Sequence, residues 1–297
     1  MAKAGERVKV GLTARVTLPN ALSALAEAAA WLDAHRCTPV IEQQAAEAAG
    51  ALRKWPTQPL RALPEHVDVM IAFGGDGTLL AVAGAVANSS TDIPVLGINL
   101  GRLGFLTEVG RTELTSALET VVAGRARVET RLMLSGAIER GGEVALRHLA
   151  LNDVVMTRGP LSRMIEIDVT VDGGFVCHVK ADGLIVATAT GSTAYNLSAG
   201  GPIVHPSVDA IVLTPIAPHT LTNRPLVLPA TARIGLRPVT ETTPSEMVAT
   251  FDGQTGVTLH RDDIVRIEVT PRRLRLLRTS DRTHFDMLRE KLKWSSS

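Results

Sequence analysis

Cysteines and aromatic residues are scarce in this chain, and each shortage argues against a class of protein. Only two cysteines, Cys37 and Cys177, occur among the 297 residues. Neither lies in a C-x-x-C or Cys/His spacing, which argues against a disulfide framework or a zinc ribbon and suits a reducing compartment. Aromatic residues make up 3% of the sequence, which argues against the stacking platforms that bind single-stranded nucleic acid. The histidines show no metal-ligand spacing, so we assign none of them to catalysis and identify no metal ligands.

The sequence also has no excess of one charge and no apolar run of membrane length. Lys and Arg number 31, Asp and Glu number 30, and the formal net charge is +1, so the binding of an anionic ligand must be local. Residues 1–12 lack the apolar core of a signal peptide, and no run approaches the roughly 18–20 apolar residues that span a bilayer. We predict a cytoplasmic protein that binds neither nucleic acid nor membranes.

The hydrophobic periodicity changes part-way along the chain, which predicts two domains. Up to about residue 125, apolar runs such as "RVKVGL" (7–12) alternate with helical patterns such as "PNALSALAEAAAWLDAH" (19–35). This alternation is typical of a parallel sheet covered by helices on both faces. From about residue 126 the apolar period is two, and Gly-Gly and Asp-Gly turns separate the runs, as in antiparallel hairpins.

These patterns predict an α/β domain followed by a β-rich one. We expect an N-terminal Rossmann-like three-layer α/β domain over residues 1–125 and a C-terminal antiparallel β-sandwich-like domain over residues 126–274. The tail "THFDMLREKLKW" (283–294) has an amphipathic helical pattern, so residues 275–297 are predicted to pack back on the first domain.

The segment "GGDGT" (74–78) follows the continuous apolar run "VDVMIAF" (67–73) and precedes a helical pattern. In open α/β sheets, ligands bind outside the carboxyl ends of the strands, and glycines at a helix start let backbone N–H groups approach phosphate. The segment matches neither the P-loop nor the dinucleotide-binding pattern. It therefore indicates either a phosphate-binding turn with an acid in it or a tight turn that Asp76 caps.

Two later segments are unusually polar for their surroundings. "LNDVV" (151–155) places Asn152 and Asp153 inside an apolar strand pattern, which indicates a polar ligand or a bend. Residues 181–206, "ADGLIVATATGSTAYNLSAGGPIVHP", are too long and too rich in Gly, Ser and Thr for one turn. Neither Ser192 nor Ser198 lies in G-x-S-x-G, so this segment is not that of a serine hydrolase.

Taken in order, "GGDGT", "GINLGRLGFLTE" (97–108), "LNDVV", "DGLIVATATGSTAYNLSAGGPIVHP" (182–206) and "FDGQ" (251–254) resemble the NAD kinase family. The resemblance extends from about residue 7 to 290. It implies phosphorylation of the adenosine ribose 2′-hydroxyl of NAD to give NADP, with a divalent cation, expected to be Mg²⁺, and with ATP or polyphosphate as the donor. It also implies a homodimer or homotetramer, because Asp182 and its neighbours in this family can serve the adjoining subunit.

The resemblance assigns roles to individual positions. Asp76 corresponds to the proton acceptor, and the expected phosphate-binding residues are Gly74, Gly75, Gly77, Thr78 and Arg102. The expected NAD-binding residues are Asp76, Gly77, Asn152, Asp153, Arg163, Lys180, Asp182, Thr193, Ala194, Tyr195, Asn196, Leu197, Ser198, Ala217 and Gln254. Two positions depart from the commonest family pattern. Asp153 replaces a Glu, so its carboxylate has a shorter reach. Lys180 replaces an Arg, and a lysine does not form the bidentate phosphate contacts that an arginine can.

Two alternative functions are compatible with parts of this pattern. Diacylglycerol and sphingosine kinases share the glycine turn and a β-rich domain, although the polar residues 190–201 would line an acyl-chain cleft poorly. A non-catalytic dinucleotide-binding regulator would keep the turn and the pocket but would not need the carboxylate of Asp76. The sequence does not distinguish ATP from another nucleoside triphosphate or from polyphosphate as the donor.

Overall fold

The computed structural model describes residues 7–18, 20–101, 103–159, 164–220, 222–239 and 247–294. It divides the chain into two compact units, which we call the first unit (Met1–Thr130 and Leu274–Ser297) and the second unit (Arg131–Arg273). The boundary predicted after residue 125 lies a few residues before this division.

The secondary structure alternates in the first part of the chain and is mainly strand in the rest. The strands are β1 (Lys9–Ala14), β2 (Thr38–Glu42), β3 (Thr57–Gln58), β4 (Val69–Gly74), β5 (Val95–Asn99), β6 (Val109–Gly110), β7 (Arg127–Arg140), β8 (Glu143–Ala150), β9 (Asp153–Arg158), β10 (Ile165–Val171), β11 (Gly174–Ala181), β12 (Gly183–Thr188), β13 (Ala210–Ile216), β14 (Leu226–Pro229), β15 (Ile234–Pro238), β16 (Met247–Phe251), β17 (Thr255–Thr258) and β18 (Ile264–Arg278). The helices are α1 (Ala21–Ala34), α2 (Gln43–Ala48), α3 (Asp76–Ala87), α4 (Leu114–Val122), α5 (Tyr195–Ser198) and α6 (His284–Leu292).

The sheet of the first unit has the strand order β3-β2-β1-β4-β5, and these neighbours pair in parallel. The last residues of β18 extend it beyond β5, where Leu276 is paired with Val95. This is the order of a Rossmann sheet, in which ligands bind outside the carboxyl ends of the strands. The carboxyl ends of β2, β1 and β4 therefore share one edge.

Burial explains why these segments form strands and helices. Every residue of β4 is buried, as expected for a central parallel strand covered on both faces. On α1 the buried residues recur at helical spacing, and they are Ala21, Ala24, Leu25, Ala28, Ala29 and Leu32. This apolar stripe packs in one core with Leu12 and Ile41 of the sheet.

The second unit consists of two antiparallel sheets that share a core. One has the order β14-β13-β12-β9-β16-β17, and the other contains β11-β10-β15-β18 together with β7 and β8. The core combines Val154 and Val186 of the first sheet with Ile167 and Leu236 of the second, which gives the sandwich-like arrangement expected from the sequence.

The predicted turns and the predicted fold class are confirmed. Gly141 and Gly142 join β7 to β8 with positive φ angles, and Asp172 and Gly173 do the same between β10 and β11. Two such residues in a row form the turn that suits a tight hairpin.

Helix α6 belongs to the first unit and starts with a capping box between Thr283 and Asp286. Among the described residues, no helix is long and apolar enough to cross a membrane.

Candidate active site

The predicted site residues form two groups, one in each unit, and each group is described by itself. In the first unit, Gly74 ends β4, Gly75 is the N-cap residue of α3, and Asp76 begins that helix. A Cβ at Gly74 would overlap the side chain of Thr78, so this glycine is required by packing. A Cβ at Gly75 or Gly77 would meet no other atom within 4 Å. Two of the three glycines therefore leave open space in the turn.

The carboxylate of Asp76 is held by the segment that precedes β6. The Phe105 N–H donates a hydrogen bond to Oδ2 (N···O 2.8 Å). The N–H groups of Leu106 and Thr107 donate to Oδ1 (3.1 and 3.0 Å), as does the Thr107 hydroxyl (2.9 Å). We call these four donors the cradle. Within the described residues Oδ2 accepts only one of them, so it keeps a lone pair for a further partner.

Asn99, at the end of β5, fixes the cradle in turn. Its Nδ2 donates to the Thr107 hydroxyl oxygen at 2.9 Å, and its Oδ1 accepts from the Gly101 N–H at 2.8 Å. A Cβ at Gly104 would overlap Oδ1 of Asp76, so the chain at this position must be glycine for the carboxylate to fit.

A buried ion pair anchors the other end of the cradle. Arg278, at the end of β18, lies 3.0 Å from Glu108 and 3.0 Å from Glu129, and the side chains of Arg278 and Glu108 are 7% and 4% exposed. Burial raises the pKa of Glu108, and the Arg278 charge opposes that rise. Arg282 donates to the backbone carbonyl of Glu108 at 3.0 Å. Arg278 and Arg282, near the C-terminal end of the chain, thus fix residues 105–108, of which 105–107 bind the Asp76 carboxylate.

In the second unit, Asp252 organises the predicted Asn-Asp pair. Its Oδ2 accepts from the Leu151 N–H (2.8 Å), and its Oδ1 accepts from the N–H groups of Asn152 and Asp153 (2.7 and 3.1 Å). Asp252 has a φ of 52° and precedes Gly253 in the turn between β16 and β17. The chain bends at Leu151 and Asn152, and β9 begins only at Asp153.

Asn152 and Asp153 are buried, and among the described residues neither Oδ1 of Asn152 nor the Asp153 carboxyl has a hydrogen-bond partner. Asn152 Oδ1 is buried and receives no hydrogen bond within the described residues. Asp153 is 5% exposed as a residue, and the described residues donate no hydrogen bond to its carboxyl either. Burial and then the charge of Asp252 raise its pKa to about 7. Unpartnered buried polar groups cost roughly 1–3 kcal/mol each, so this pair fits a ligand that supplies hydroxyl donors.

The Gly/Ser/Thr-rich segment packs against this pair through its own side chains. The Thr188 hydroxyl donates to the Leu151 carbonyl (2.7 Å) and accepts from the Gly191 N–H (3.0 Å). A Cβ at Gly191 would overlap the backbone of Asn152. Asn196 is fully buried; its Nδ2 donates to the carbonyls of Ser192 and Pro202, and its Oδ1 accepts from Thr214 at 2.6 Å. Asn196 therefore supports the loop.

Comparison with known proteins identifies the family. A model of the ATP-NAD kinase N-terminal domain matches residues 10–126, and one of the ATP-NAD kinase C-terminal domain matches residues 151–279. A curated NAD kinase from Magnetococcus marinus is 43% identical over 97% of this chain and 94% of its own length. The chain belongs to the NAD kinase family. It is therefore a phosphotransferase, as the sequence motifs predict, and nothing in these matches supports a lipid kinase or a non-catalytic regulator.

Further relatives and solved structures agree with the assignment to the NAD kinase family. An NAD kinase from Geobacter metallireducens is 41% identical over 96% of this chain and 98% of its own. The crystal structure of yeast NADH kinase complexed with NADH superposes with a TM-score of 0.91, at 26% identity over 99% of this chain and 89% of that one. The crystal structure of an NAD kinase from Archaeoglobus fulgidus in complex with ATP superposes with a TM-score of 0.76. It is 25% identical over 96% of this chain and 99% of that one.

Apart from Arg102, the remaining residues expected from the NAD kinase resemblance belong to the second unit. Thr193 ends a 3₁₀ turn, Ala194 follows it, and α5 contains Tyr195, Leu197 and Ser198. Lys180 donates to Glu166 at 2.7 Å, and Asp182 accepts from Arg158 at 2.9 Å. Ala217 is exposed with a φ of 46°, a conformation that is uncommon for a residue other than glycine. Gln254 is exposed after the Asp252 turn, whereas Arg102 and Arg163 lie outside the described residues.

Three residues that the NAD kinase motifs do not mark hold the predicted site residues in place: Asp252, Thr107 and Thr188. Asp252 lies within "FDGQ", where its Asp-Gly dipeptide signals a turn but not the hydrogen bonds of its carboxylate. Thr107 stood within "GFLTE", and Thr188 stood within the polar segment. Each acts on residues 30 or more positions away, and such a distance hides the contact from local patterns.

The raised pKa of Asp153 predicts a measurable effect on stability. In the folded chain this carboxyl keeps its proton up to about pH 7, whereas in the unfolded chain it loses it near its ordinary value of 3.8. The contribution of Asp153 to the free energy of unfolding therefore falls as the pH rises from about 4 to about 7. Asp153→Asn removes this loss, so we expect the variant to exceed the wild type in stability at pH 8, by at most about 4 kcal/mol.

Thermal melts at pH 4 and pH 8 test this expectation. The gain in melting temperature should be larger at pH 8 than at pH 4, and the exposed residue change Asp281→Asn should give no such difference. A gain that does not vary with pH would show that Asp153 is ionised in the folded chain throughout this range.

Proposed function

We propose that this NAD kinase transfers the γ-phosphoryl group of ATP to the adenosine ribose 2′-hydroxyl of NAD, with Asp76 as the proton acceptor. The observation that carries the proposal is the Asp76 carboxylate, which the cradle fixes beside two glycines that leave open space. The relatives of known structure support the substrates, since one holds NADH and another holds ATP.

The role of Asp76 follows from the demands of phosphoryl transfer. The enzyme must align the hydroxyl nucleophile, take up its proton and stabilise the charge on the transferred group. Oδ1 is occupied by three donors, so the free lone pair of Oδ2 is the proposed acceptor of the 2′-hydroxyl proton. The space beside Gly75 and Gly77, at the N-terminus of α3, would receive the phosphates, as helix N-termini do.

A divalent cation fits this arrangement only together with the substrate. No group of three His, Cys, Asp or Glu side chains in the part of the chain that the structure describes could hold a metal ion. Mg²⁺ is commonly bound by one or two carboxylates together with substrate phosphates. Because the free lone pair of Asp76 Oδ2 is proposed to accept the proton, the ion would be held mainly by the substrate phosphates. When bound, the ion would neutralise charge on the phosphates.

In the second unit, the unpartnered side chains of Asn152 and Asp153 are proposed to bind hydroxyl groups of NAD. The proposed dinucleotide contacts are otherwise those of the family pattern: Arg163, Lys180, Asp182, Thr193, Ala194, Tyr195, Leu197, Ser198, Ala217 and Gln254. For Asn196 we propose a supporting role, because the protein uses both of its side-chain atoms. Cytoplasmic location and assembly into a homodimer or homotetramer also remain predictions.

An assay of NADP formation tests the proposal directly. Purified protein is incubated with NAD, Mg²⁺ and either ATP or polyphosphate, and NADP is measured with an NADP-specific dehydrogenase. We expect NADP to form from NAD when ATP is the donor. Binding of NAD without formation of NADP from either donor would contradict the proposal.

The glycine turn (74–78) offers a matched pair of variants. Gly75→Ala adds a methyl group to open space, so the fold should be unchanged while the KM for ATP rises about tenfold or more if phosphate occupies that space. Gly74→Ala forces the methyl group against Thr78, and we expect it to destabilise the fold by about 1–3 kcal/mol. Melting temperatures and initial rates at varied ATP separate the two effects; an unchanged KM in Gly75→Ala would remove Gly75 from the phosphate site.

A further inference from the structure

A buried carboxyl lies at the same sheet edge as the glycine turn and has no assigned role. Glu42 is the last residue of β2 and is 5% exposed. Its Oε2 accepts a hydrogen bond from the hydroxyl of Thr13 in β1, and no described residue donates to its Oε1. Burial raises the pKa of Glu42, and the hydrogen bond from Thr13 opposes that rise. Burying the ionised carboxylate therefore disfavours the folded state.

Local structure does not explain this acid. Glu42 is the N-cap residue of α2, but its side chain makes no capping hydrogen bond. No salt bridge to Glu42 is formed by the Lys, Arg and His residues that the structure describes. A buried carboxylate that has one hydroxyl donor and a second oxygen without a donor is suited to a ligand with hydroxyl groups.

The strand order gives that ligand a position. In Rossmann sheets an acid at the end of the second strand hydrogen-bonds a ribose hydroxyl of the nucleotide, whose phosphates lie over the turn after the first strand at the same edge. In this sheet the glycine turn follows β4 instead, on the other side of β1. Here β1 lies between β2 and β4 in a parallel sheet. The ends of β2 and β4 are thus roughly 10 Å apart, a span that a ribose joined to a triphosphate can bridge.

We propose that Glu42, supported by Thr13, binds the ribose hydroxyls of the phosphate donor while the glycine turn binds its phosphates. This inference rests on the proposed function and adds the class of donor to it. The first unit selects a nucleoside triphosphate with an intact ribose, because a phosphate donor without ribose hydroxyls leaves Oε1 of the buried Glu42 carboxylate without a hydrogen-bond donor. Inorganic polyphosphate is the donor that this site cannot recognise.

The test compares ATP with 2′,3′-dideoxy-ATP, which differ only in the ribose hydroxyls. Affinities are measured by calorimetry and KM values by NADP formation. Hydrogen bonds to a charged group predict that the wild type binds ATP about 10–100-fold more tightly than the dideoxy nucleotide. In Glu42→Gln this ratio should fall towards one, mainly through weaker ATP binding, while Glu47→Gln on the exposed side of α2 should keep the wild-type ratio.

Each outcome decides the proposal. Equal affinity of the wild type for the two nucleotides, or a wild-type ratio in Glu42→Gln, would overturn it. The wild-type comparison needs no variant, so it holds even if Glu42→Gln fails to fold. If NADP forms from neither nucleotide, the proposed function fails, but calorimetric binding of ATP still decides the role of Glu42.

Discussion

Replacing Asp76 by Asn is expected to lower kcat for NADP formation by about 10²–10⁴-fold, the usual contribution of a general base. Asn keeps the size of the side chain and can accept the three hydrogen bonds that reach Oδ1. Its amide nitrogen then faces the Phe105 N–H in place of Oδ2 and cannot accept a proton. NAD binding, measured by calorimetry, should change far less than kcat.

Thr107→Val provides the matched control for this variant. It removes the hydroxyl donor from the cradle but leaves the carboxylate and the backbone donors in place. We expect kcat to decrease much less in Thr107→Val than in Asp76→Asn, because the substitution affects only the orientation of the base. Equal decreases in the two variants would indicate that Asp76 acts by holding the cradle; unchanged turnover in Asp76→Asn would remove it from the mechanism.

The position of Asp76 follows from sequence because it depends on local patterns. A continuous apolar run predicts a central parallel strand, and β4 is buried throughout. The glycines after it predict a turn at the carboxyl end, where the structure places Gly75 and Asp76 at the start of α3. The sequence could not show that Gly74 serves packing while Gly75 and Gly77 leave space, because this depends on where the Thr78 side chain lies.

The cradle is not predictable in this way. Three of its four donors are backbone N–H groups of residues about 30 positions after Asp76. Every residue except proline carries such a group, so the residue types at 105 and 106 carry no signal of the contact. Only Thr107 contributes a side chain, and a lone threonine in a loop is unremarkable.

Asp252 shows the same limit in the second unit. Its Asp-Gly sequence predicts a hairpin turn, and the positive φ angles at both residues agree with that prediction. The further use of its carboxylate, which binds three N–H groups about 100 residues earlier, depends on the pairing of β16 with β9. Register between distant strands is set by the whole sheet, so this contact became visible only in the structure.

Breaking the buried ion pair between Arg278 and Glu108 should have a large effect on stability. Arg278→Met removes one partner and leaves the Glu108 charge buried, for which we expect a loss of about 3–5 kcal/mol in the free energy of unfolding. The double variant Arg278→Met, Glu108→Gln carries no uncompensated buried charge at this pair. It should therefore recover a large part of the loss, as denaturant unfolding of the two variants would show.

The same pair links stability to catalysis, because Glu108 directly follows the cradle residue Thr107. Loss of Arg278 should let residues 105–108 move, so kcat should fall even at temperatures where the variant is fully folded. Leu32→Ala in α1 is the control, since it removes a fully buried side chain at a similar cost of about 2–5 kcal/mol without a hydrogen bond to the cradle. We expect Leu32→Ala to keep wild-type kcat when folded. Equal kcat values in the two folded variants would mean that Arg278 stabilises the first unit without positioning Asp76.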